Sequence, residues 1–318
     1  MSAVLVTGGA GYLGSLAVAA LVDAATASVV SLDLRPPPAP RPGVTELTAD
    51  LRTADLPKLL REHAVAAVVH LAAIIDPPPG MDAATLHDIE VGATARLVGA
   101  CAEVGVEHLT VASSGAAYGY TAANRERPRV ESDPVPGHPR FAYSRHKAEV
   151  EALLARARRD HPQLGQLVLR PGTILGAGTD NLVTRLFTAR VVVGLRDTDV
   201  PFQFVHDHDV ARVIASGVGH RITGVYNLAG DGVLTLRDIA AIEDRPYVRL
   251  PTGAIVAGLR LAQPLRLVGY GPEQVDFVRY RPVLANDAVK AAFPSLPRLT
   301  TAECYGRFRA GRQEQQHG

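Results

Sequence analysis

A tyrosine and a lysine four residues apart, in the stretch YSRHK at 143–147, could together transfer a proton. Positions i and i+4 share one face of a helix, so Tyr143 and Lys147 would lie side by side. Only three of the 33 basic residues are lysines: Lys58, Lys147 and Lys290. Lysine is a compact point charge, whereas arginine is a broad planar fork. The lysine at 147 therefore indicates a need for a point charge beside a phenol.

Three glycines in TGGAGYLG (7–14) form a pattern that could hold a dinucleotide. The stretch follows a predicted strand and opens a predicted helix, the placement that gives such a pattern meaning. Gly8 would permit a tight turn, Gly11 would admit a pyrophosphate, and Gly14 would allow close packing of helix on strand. The positive end of the helix would face the phosphate charge.

An aspartate follows this turn at the distance expected of a ribose-binding acid. Asp33 closes the second predicted strand, 19 residues after Gly14. Its carboxylate would accept hydrogen bonds from the adenine ribose and repel a 2′-phosphate, which favours NAD over NADP. NADP stays possible, because Arg35 could grip that phosphate if its side chain turned inward.

A serine completes the set of residues for proton transfer at an alcohol or ketone. The fifth predicted strand ends in VASSGAAYG (111–119), and its carboxyl end would meet the helix that carries Tyr143. An ordinary tyrosine has a pKa near 10, and bringing a phenol to about 7 requires about 4 kcal/mol of stabilisation of the phenolate. The Lys147 ammonium and a positive nicotinamide ring could supply much of that stabilisation.

Short β-branched runs alternate with helical periods in the first half of the chain. This alternation predicts an α/β fold with a doubly wound parallel sheet of the Rossmann type. The predicted strands are AVLVTG (3–8), SVVSLD (28–33), VTELTAD (44–50), AAVVHLAA (66–73), HLTVASS (108–114) and QLVLRPG (166–172). Proline clusters at 36–42 and 76–80 are predicted to be stiff loops at the carboxyl edge of the sheet, where ligands bind in such folds.

The alternation breaks up in the second half. We predict a dinucleotide-binding domain over residues 1–172 and a smaller, discontinuous substrate domain mainly over 173–318. Two segments near 201–230, PFQFVHDHDVARVI and GVYNLAG, are predicted to return to the sheet as strands. The polar tail at 307–318 is predicted to fray.

The bulk composition argues against several function classes. The net charge is +1 with no basic stripe, so no nucleic-acid partner is expected. The apolar runs fall short of the ~18 residues of a membrane span, and no signal-peptide pattern is present, so we expect a cytoplasmic protein. The two cysteines, Cys101 and Cys304, are expected to be buried free thiols.

In these motifs the chain resembles the extended short-chain dehydrogenase/reductases, the NAD-dependent epimerase/dehydratase family. The resemblance covers residues 3–240 and rests, in order, on TGGAGYLG, Asp33, TADL, VVHLAA, SSGAAYG, YSRHK, RPGTILG, FVHDHDVA and VYNLAG. It implies Tyr143 as general acid/base, with Lys147 as its activator and ribose ligand. By the spacing to AYG, it implies that Ser114 rather than Ser113 binds the substrate oxygen. It also implies a homodimer and a set of cofactor contacts: Gly8, Gly11, Tyr12, Leu13, Gly14, Asp33, Arg35, Asp50, Leu51, Ala72, Ala73, Tyr143, Lys147 and Pro171.

Some positions depart from the patterns of particular subfamilies. Chains that resemble sugar-nucleotide 4,6-dehydratases carry Thr-Asp-Glu where this chain has Ser114-Gly115-Ala116. Neither glycine nor alanine can transfer a proton, so the dehydratase reaction is not expected. Nucleotide-sugar 4-epimerases usually carry a phosphate-binding arginine where this chain has Phe202. Arg185, Arg190 or Arg196 could replace it.

Three further polar positions have a structural interpretation and a functional one. Glu90 replaces the asparagine of an N-V-x-G-T pattern; it could be a second acid, but we expect a structural carboxylate. His206 and His208 would share a face of a strand, yet no third ligand is evident and we expect no metal site. His146 is expected to point away from the Tyr143–Lys147 face into solvent.

Together these residues predict an NAD(P)-dependent oxidoreductase that moves a hydride between nicotinamide and a carbinol or carbonyl carbon. The phenylalanine at 202 and the apolar PFQF stretch favour a small, weakly charged organic substrate. Two alternatives remain: a nucleotide-sugar 4-epimerase with tightly bound NAD, and a non-catalytic NAD sensor.

Overall fold

The computed structural model describes residues 2–25, 27–75, 77–78, 80–262 and 274–317. Its strands are β1 Ala3–Thr7, β2 Ser28–Asp33, β3 Val44–Thr48, β4 Val65–His70, β5 His108–Ala112, β6 Gly165–Pro171, β7 Thr173–Leu175, β8 Val192–Leu195, β9 Pro201–Phe202, β10 Phe204–His206, β11 Gly224–Leu228, β12 Leu234–Thr235 and β13 Tyr247–Leu250. Its α-helices are α1 Tyr12–Asp23, α2 Leu56–Glu62, α3 Ala83–His87, α4 Ala93–Val104, α5 Ala142–Asp160, α6 Leu182–Thr188, α7 Asp207–Gly219, α8 Leu236–Ile242, α9 Thr252–Ala262, α10 Gln274–Arg279, α11 Asp287–Ala292 and α12 Thr301–His317. A π-helical segment, Asp88–Gly92, joins α3 to α4, and 3₁₀ turns lie at Gly115–Tyr118 and Ala122–Arg125.

The central sheet has seven parallel strands in the order β11-β6-β5-β4-β1-β2-β3. The chain moves outward from β1 to β3 and then returns past β1 to β4, so the strand order reverses beside β1. This confirms the doubly wound α/β prediction. It also places the carboxyl ends of β1, β4, β5 and β6 along one edge, the usual ligand-binding edge of such sheets.

The strands are apolar throughout because both faces of the sheet are covered by helices. Along β1, Leu5 faces a core that includes Leu97 of α4 and Leu154 of α5. Its neighbour Val4 faces the opposite core, which includes Val18 of α1 and Val213 of α7. Alternate residues of one strand therefore belong to two different cores.

A third core is formed by the second half of the chain, and five aromatic rings are part of it. Phe187, Phe202, Phe204, Tyr305 and Phe308 are all fully buried in it. Tyr305 and Phe308 belong to α12, so the predicted fraying of the tail is wrong. The tail residues that look polar in sequence flank a buried aromatic face.

One of the two returning segments joins the sheet as predicted, and the other does not. Strand β11 pairs with β6 in parallel. The segment at 201–214 instead forms β9 and β10, which pair in small sheets with β12 and β7, and then becomes α7. The strand prediction is wrong from Asp207 onward. Asp207 and Asp209 lie in the first turn of α7, where negative charge stabilises a helix.

The structure describes the whole of the first proline cluster and only part of the second. Arg41, in the first cluster, folds back so that its guanidinium donates to the Gly9 carbonyl at 2.9 Å and to the Ser31 hydroxyl at 2.7 Å. This loop is therefore fastened to the glycine turn. In the second cluster, positions 76 and 79 lie outside the described residues. Among the helices that are described, none is long and apolar enough to cross a membrane.

Candidate active site

The glycine turn forms a close-packed cradle between β1 and α1. Gly8 has a φ of +73°, and a Cβ there would meet the backbone nitrogen of Ala72 at 2.7 Å. A Cβ on Gly14 would overlap the carbonyl oxygen of Gly8. Only hydrogen atoms fit at these positions, so the cradle depends on both glycines. It brings Gly8, Gly11, Gly14 and Ala72 together, as the sequence predicts.

Asp33 lies at the far end of the same cradle. Its Oδ2 accepts a hydrogen bond from the Ala10 backbone at 3.1 Å, and its Oδ1 accepts one from the Arg35 backbone at 3.4 Å. The carboxylate is thus held at the end of β2 while the Arg35 side chain is exposed. This arrangement fits a ribose-binding acid.

The next predicted pair follows β3. Leu51 is buried in the core beneath the sheet. Asp50 accepts from the Arg52 guanidinium at 2.6 Å, and this partner lowers the pKa of the Asp50 carboxyl. Leu51 therefore contributes packing in this structure, while Asp50 is engaged within its own turn.

Tyr12 and Leu13 form the first turn of α1. The Tyr12 hydroxyl donates to Asp207 at 2.5 Å and lies 2.9 Å from the Thr179 hydroxyl. Burial, followed by the hydrogen bond to Asp207, raises the pKa of Tyr12 above its ordinary value. The phenol is thus committed to α7, and what residues 12 and 13 offer a pyrophosphate is the backbone at the helix N-terminus.

Helix α5 brings the predicted tyrosine–lysine pair together. The Lys147 Nζ lies 5.5 Å from the centre of the Tyr143 ring, so the two side chains share a face. Lys147 is 6% exposed, whereas Tyr143 is partly exposed. The ammonium is therefore enclosed and the ring is accessible, which suits a phenol that reacts and an amine that tunes it.

Glu90 forms a buried ion pair with Lys147. Its Oε2 lies 3.3 Å from Nζ, and the Glu90 side chain is 2% exposed. Burial lowers the pKa of Lys147, but Glu90, Tyr143 and Glu151 together raise it more, and the net direction is upward. The expected structural carboxylate is thus in direct contact with the candidate catalytic lysine.

The two serines at the end of β5 have different environments. The Ser113 hydroxyl is buried and donates to Glu151 at 2.6 Å. Ser114 is partly exposed and caps the 3₁₀ turn by accepting from the Ala116 backbone at 3.1 Å. Since Ser144 donates to the Ala116 carbonyl at 2.6 Å, this turn is fixed to α5 beside Tyr143. Pro171 is buried at the end of β6, and a Cβ on Gly115 would lie 3.4 Å from its carbonyl oxygen.

The prediction that His146 is solvated is wrong. The side chain is only 1% exposed, and its ring packs edge-on against His87 at 5.3 Å between centroids. Burial lowers the pKa of His146. The end of α3 covers α5 at this point, since His87 contacts His146 and its Nε2 lies 2.6 Å from Glu149.

Arg281 is a candidate phosphate-binding residue that the sequence alone did not indicate. Arg281 lies 4.8 Å over the Phe202 ring and donates to the Thr173 hydroxyl. In the part of the chain that is described, its Nη1 has no hydrogen-bond partner. Burial lowers the pKa of Arg281 to about 10, so it remains charged at neutral pH. Its sequence context, VRYRP at 278–282, carried no recognised motif.

Two of the arginines considered from the sequence for phosphate binding have other partners. Arg185 is exposed and pairs with Asp180 at 3.4 Å, and Arg196 donates to the Arg249 carbonyl. The histidines at 206 and 208 stack at 5.4 Å between centroids. Across the described ranges, no three His, Cys, Asp or Glu side chains are placed to hold a metal ion. Cys101 and Cys304 are buried free thiols, as predicted.

The cradle, the acid at its far end and the uncapped N-terminus of α1 fit a dinucleotide such as NAD. The N-cap residue Gly11 gives α1 no side-chain hydrogen bond, which leaves the first N–H groups for a ligand. Ala72 follows β4 and Pro171 ends β6, so both lie at the carboxyl edge of the sheet, as the cradle after β1 does. The residues present can therefore hold the adenosine at Asp33 and direct the rest of the molecule toward α5.

Sequence relatives match this chain over half of its length or more. An uncharacterized protein from Mycobacterium tuberculosis strain H37Rv is 23% identical over 317 residues, which is 97% of this chain and 84% of the relative. A UDP-glucose 4-epimerase from Azospirillum brasilense is 32% identical over 179 residues, 55% of this chain and 49% of the relative.

Solved structures agree with the fold. MoeE5 in complex with UDP-glucose and NAD is 25% identical, with a TM-score of 0.71, and the match covers 99% of this chain and 100% of that one. A UDP-glucose 4-epimerase with UDP-glucose from Thermotoga maritima has a TM-score of 0.73 at 18% identity, over 99% and 100% of the two chains. The latter likeness shows the fold alone. Residues 4–229 match the NAD dependent epimerase/dehydratase family, and the chain belongs to that family.

Proposed function

We propose that this protein is an NAD-dependent oxidoreductase that transfers a hydride between nicotinamide and a carbinol or carbonyl carbon. The observation that carries the proposal is the Tyr143–Lys147 pair, with a buried ammonium 5.5 Å from the centre of a partly exposed phenol ring. A phenol beside an enclosed cation is suited to give up and regain a proton during a reaction. The family's dependence on NAD supports the choice of cofactor.

Each side chain of the candidate site has its own proposed role. Ser114 would donate a hydrogen bond to the substrate oxygen, and Tyr143 would take the hydroxyl proton as the carbinol is oxidised or return it as the carbonyl is reduced. Lys147 would hold its positive charge beside the phenolate. NAD, when bound, would accept or supply the hydride. The cradle at Gly8, with the other predicted cofactor residues, would hold it.

The substrate proposed here carries negative charge, which departs from our sequence-based preference for a weakly charged one. That preference depended on the phenylalanine at 202, and Arg281 places a cation over that ring. An enclosed guanidinium with a free donor is well suited to a phosphate oxygen. Relatives and structural neighbours that bind UDP-sugars support a nucleotide-linked substrate.

The second candidate is a nucleotide-sugar 4-epimerase that keeps its NAD. It uses the same Tyr143 and Lys147, but the hydride is returned to the opposite face of the same carbon, so no net redox change occurs. Arg281 and the 32% identity to a UDP-glucose 4-epimerase favour it. A non-catalytic NAD sensor would leave the accessible phenol and its lysine without a role.

The deciding experiment starts with the protein as purified. Mass spectrometry of the denatured protein identifies retained small molecules, and a screen of ketones, alcohols and UDP-sugars is followed at 340 nm and by chromatography. Net NADH formation with an alcohol, or net NADH consumption with a ketone, supports the oxidoreductase, and isomerised sugar without a net change in NADH supports the epimerase. Tyr143→Phe is expected to abolish either activity while NAD binding persists. Full activity of that variant would refute the proposal.

A homodimer is part of the proposal by family analogy, and the cytoplasmic location expected from the sequence stays a prediction. Light scattering after gel filtration tests the dimer, since a mass of 33.6 kDa would indicate a monomer.

A further inference from the structure

One carboxylate joins two parts of the candidate active site. Glu90 Oε1 accepts a hydrogen bond from the backbone of Ile74, in the loop that follows β4 and the predicted cofactor residues Ala72 and Ala73. Its other oxygen lies 3.3 Å from the Lys147 ammonium, and the two side chains are 2% and 7% exposed. Glu90 therefore links the loop that would line the cofactor channel to the catalytic lysine.

A buried hydrogen-bond network fixes the backbone of Glu90. The Thr94 hydroxyl donates its one proton to the Glu90 carbonyl at 2.6 Å. His70 Nε2, 2.9 Å from Thr94 Oγ1, must therefore be the donor in that contact. His70 Nδ1 then accepts from the Thr7 hydroxyl at 2.7 Å. The network ties the π-helical segment to β1 and β4.

The π-helical geometry of Asp88–Gly92 is itself a local departure from the regular helix. Such single turns insert one extra residue and are frequent at functional sites. Here the turn carries Glu90 into the protein, although a glutamate in a helix with an exposed face would ordinarily reach solvent. The network and the ion pair provide the compensation that a buried carboxylate requires.

The charged groups around Lys147 can be named element by element. From α5, Tyr143 and Glu151 face it; from the π-helical segment, Glu90; and from β4, the neutral His70. The Glu90 charge also acts on His146, and Tyr143 and Tyr120 interact electrostatically. Of the two carboxylates, Glu151 is neutralised by Arg170, whose Nε lies 2.9 Å from its Oε1. Glu90 is thus the anion that offsets the ammonium.

We propose that Glu90 is a positioning residue whose carboxylate holds Lys147 in place and limits the positive charge that Tyr143 experiences. The inference deepens the proposed function and rests on it. A negative charge makes every neighbouring acid weaker, so its removal makes both the phenol and the ammonium stronger acids. A merely structural Glu90 would fix geometry without this charge effect.

The test follows the Tyr143 phenolate directly and does not need the substrate. Tyrosinate absorbance at 295 nm is titrated with pH for the NAD-loaded wild type and for Tyr143→Phe, and the difference isolates Tyr143. The same difference is taken between Glu90→Gln and the Glu90→Gln/Tyr143→Phe double variant. We expect Glu90→Gln to lower the midpoint by about one pH unit, the effect of one charge several Å away at an effective dielectric constant of about 20 to 40.

Two further variants separate charge from geometry. Glu103→Gln removes an exposed carboxylate that pairs with Arg61 at 2.6 Å on the surface of α4, and it should leave the midpoint unchanged. Glu90→Asn repeats the charge change with a smaller side chain if glutamine packs poorly. An unchanged midpoint in both Glu90 variants, with their fold intact by circular dichroism, would overturn the inference.

Failure of the proposed function would look different. If the wild-type phenol titrates only where ordinary tyrosines do, the acid/base role of Tyr143 is wrong. The comparison between wild type and Glu90→Gln can still be read at whatever pH the midpoint falls.

Discussion

The guanidinium carbon of Arg281 lies 4.8 Å from the centre of the Phe202 ring and 4.7 Å from that of Phe277. Two aromatic faces thus enclose the cation, one from Phe277 four residues earlier in the chain and one from Phe202, which lies 79 residues earlier. Aromatic faces stabilise a desolvated cation without neutralising it. Arg281 therefore keeps its positive charge in this enclosed position.

Arg281→Met is expected to weaken the binding of uridine diphosphate by roughly 100-fold, because a buried charge-assisted contact to phosphate contributes about 3 kcal/mol. The fold should persist, since an apolar chain can replace a buried charge between aromatic rings. Titration calorimetry with uridine diphosphate measures the loss.

Arg185→Met is the matched control for that experiment. Arg185 is exposed and pairs with Asp180 at 3.4 Å, so its removal should leave the affinity within twofold of wild type. If Arg185→Met weakened binding as much as Arg281→Met did, the assignment of the phosphate site to Arg281 would be wrong.

Asp33→Asn is expected to shift cofactor preference toward NADP. The amide can keep the hydrogen bond from the Ala10 backbone, but it no longer repels a 2′-phosphate. We expect the ratio of the NADP and NAD dissociation constants to fall by about 10-fold, or 1.4 kcal/mol, measured by fluorescence quenching. An unchanged ratio would show that Asp33 does not face the ribose.

We expect the buried ion pair between Arg170 and Glu151 to contribute strongly to the free energy of unfolding. Glu151 accepts from Arg170 at 2.9 Å and from Ser113 at 2.6 Å, in a site where both charged side chains are 6% exposed. Glu151→Gln leaves the guanidinium without its anion, and we expect a loss of about 3 kcal/mol or more in the free energy of unfolding. Guanidinium chloride denaturation gives the value, with the exposed pair variant Glu103→Gln expected to lose less than about 0.5 kcal/mol.

His70 should make the protein less stable in mild acid. Burial, together with repulsion by the Lys147 ammonium, lowers the pKa of His70 to about 3. Below pH 6.5 the unfolded chain binds a proton that the folded protein does not, so the free energy of unfolding falls as the pH drops from about 6.5 toward 3. Between pH 7.5 and pH 5 the loss from this residue is about 2 kcal/mol.

Chemical denaturation at pH 7.5, 6 and 5 measures this dependence. His70→Asn should lose the part of the pH dependence that His70 contributes. His220→Asn, at an exposed helix end, should keep the full pH dependence of the wild type. Equal pH dependence in wild type and His70→Asn would contradict the prediction.

The sequence by itself determined the sheet and the local motifs. The apolar runs specify strands buried on both faces, and the glycine spacing specifies a turn that tolerates no side chain at Gly8 and Gly14. The helical spacing of Tyr143 and Lys147 placed them on one face. All of these follow from the periodicity or spacing of residues within a short stretch of chain, where pattern and local geometry are directly linked.

Only the tertiary structure decided which distant side chains meet. Glu90 contacts Lys147 across 57 positions and Arg281 covers Phe202 across 79, and no periodicity encodes either contact. Contacts between distant surfaces also decide three features that the sequence did not predict. These are the helix that begins at Asp207, the burial of His146 and the packing of α12 on the aromatic core. A polar residue in sequence carries no sign of what will bury it, because burial is a property of the surfaces around it.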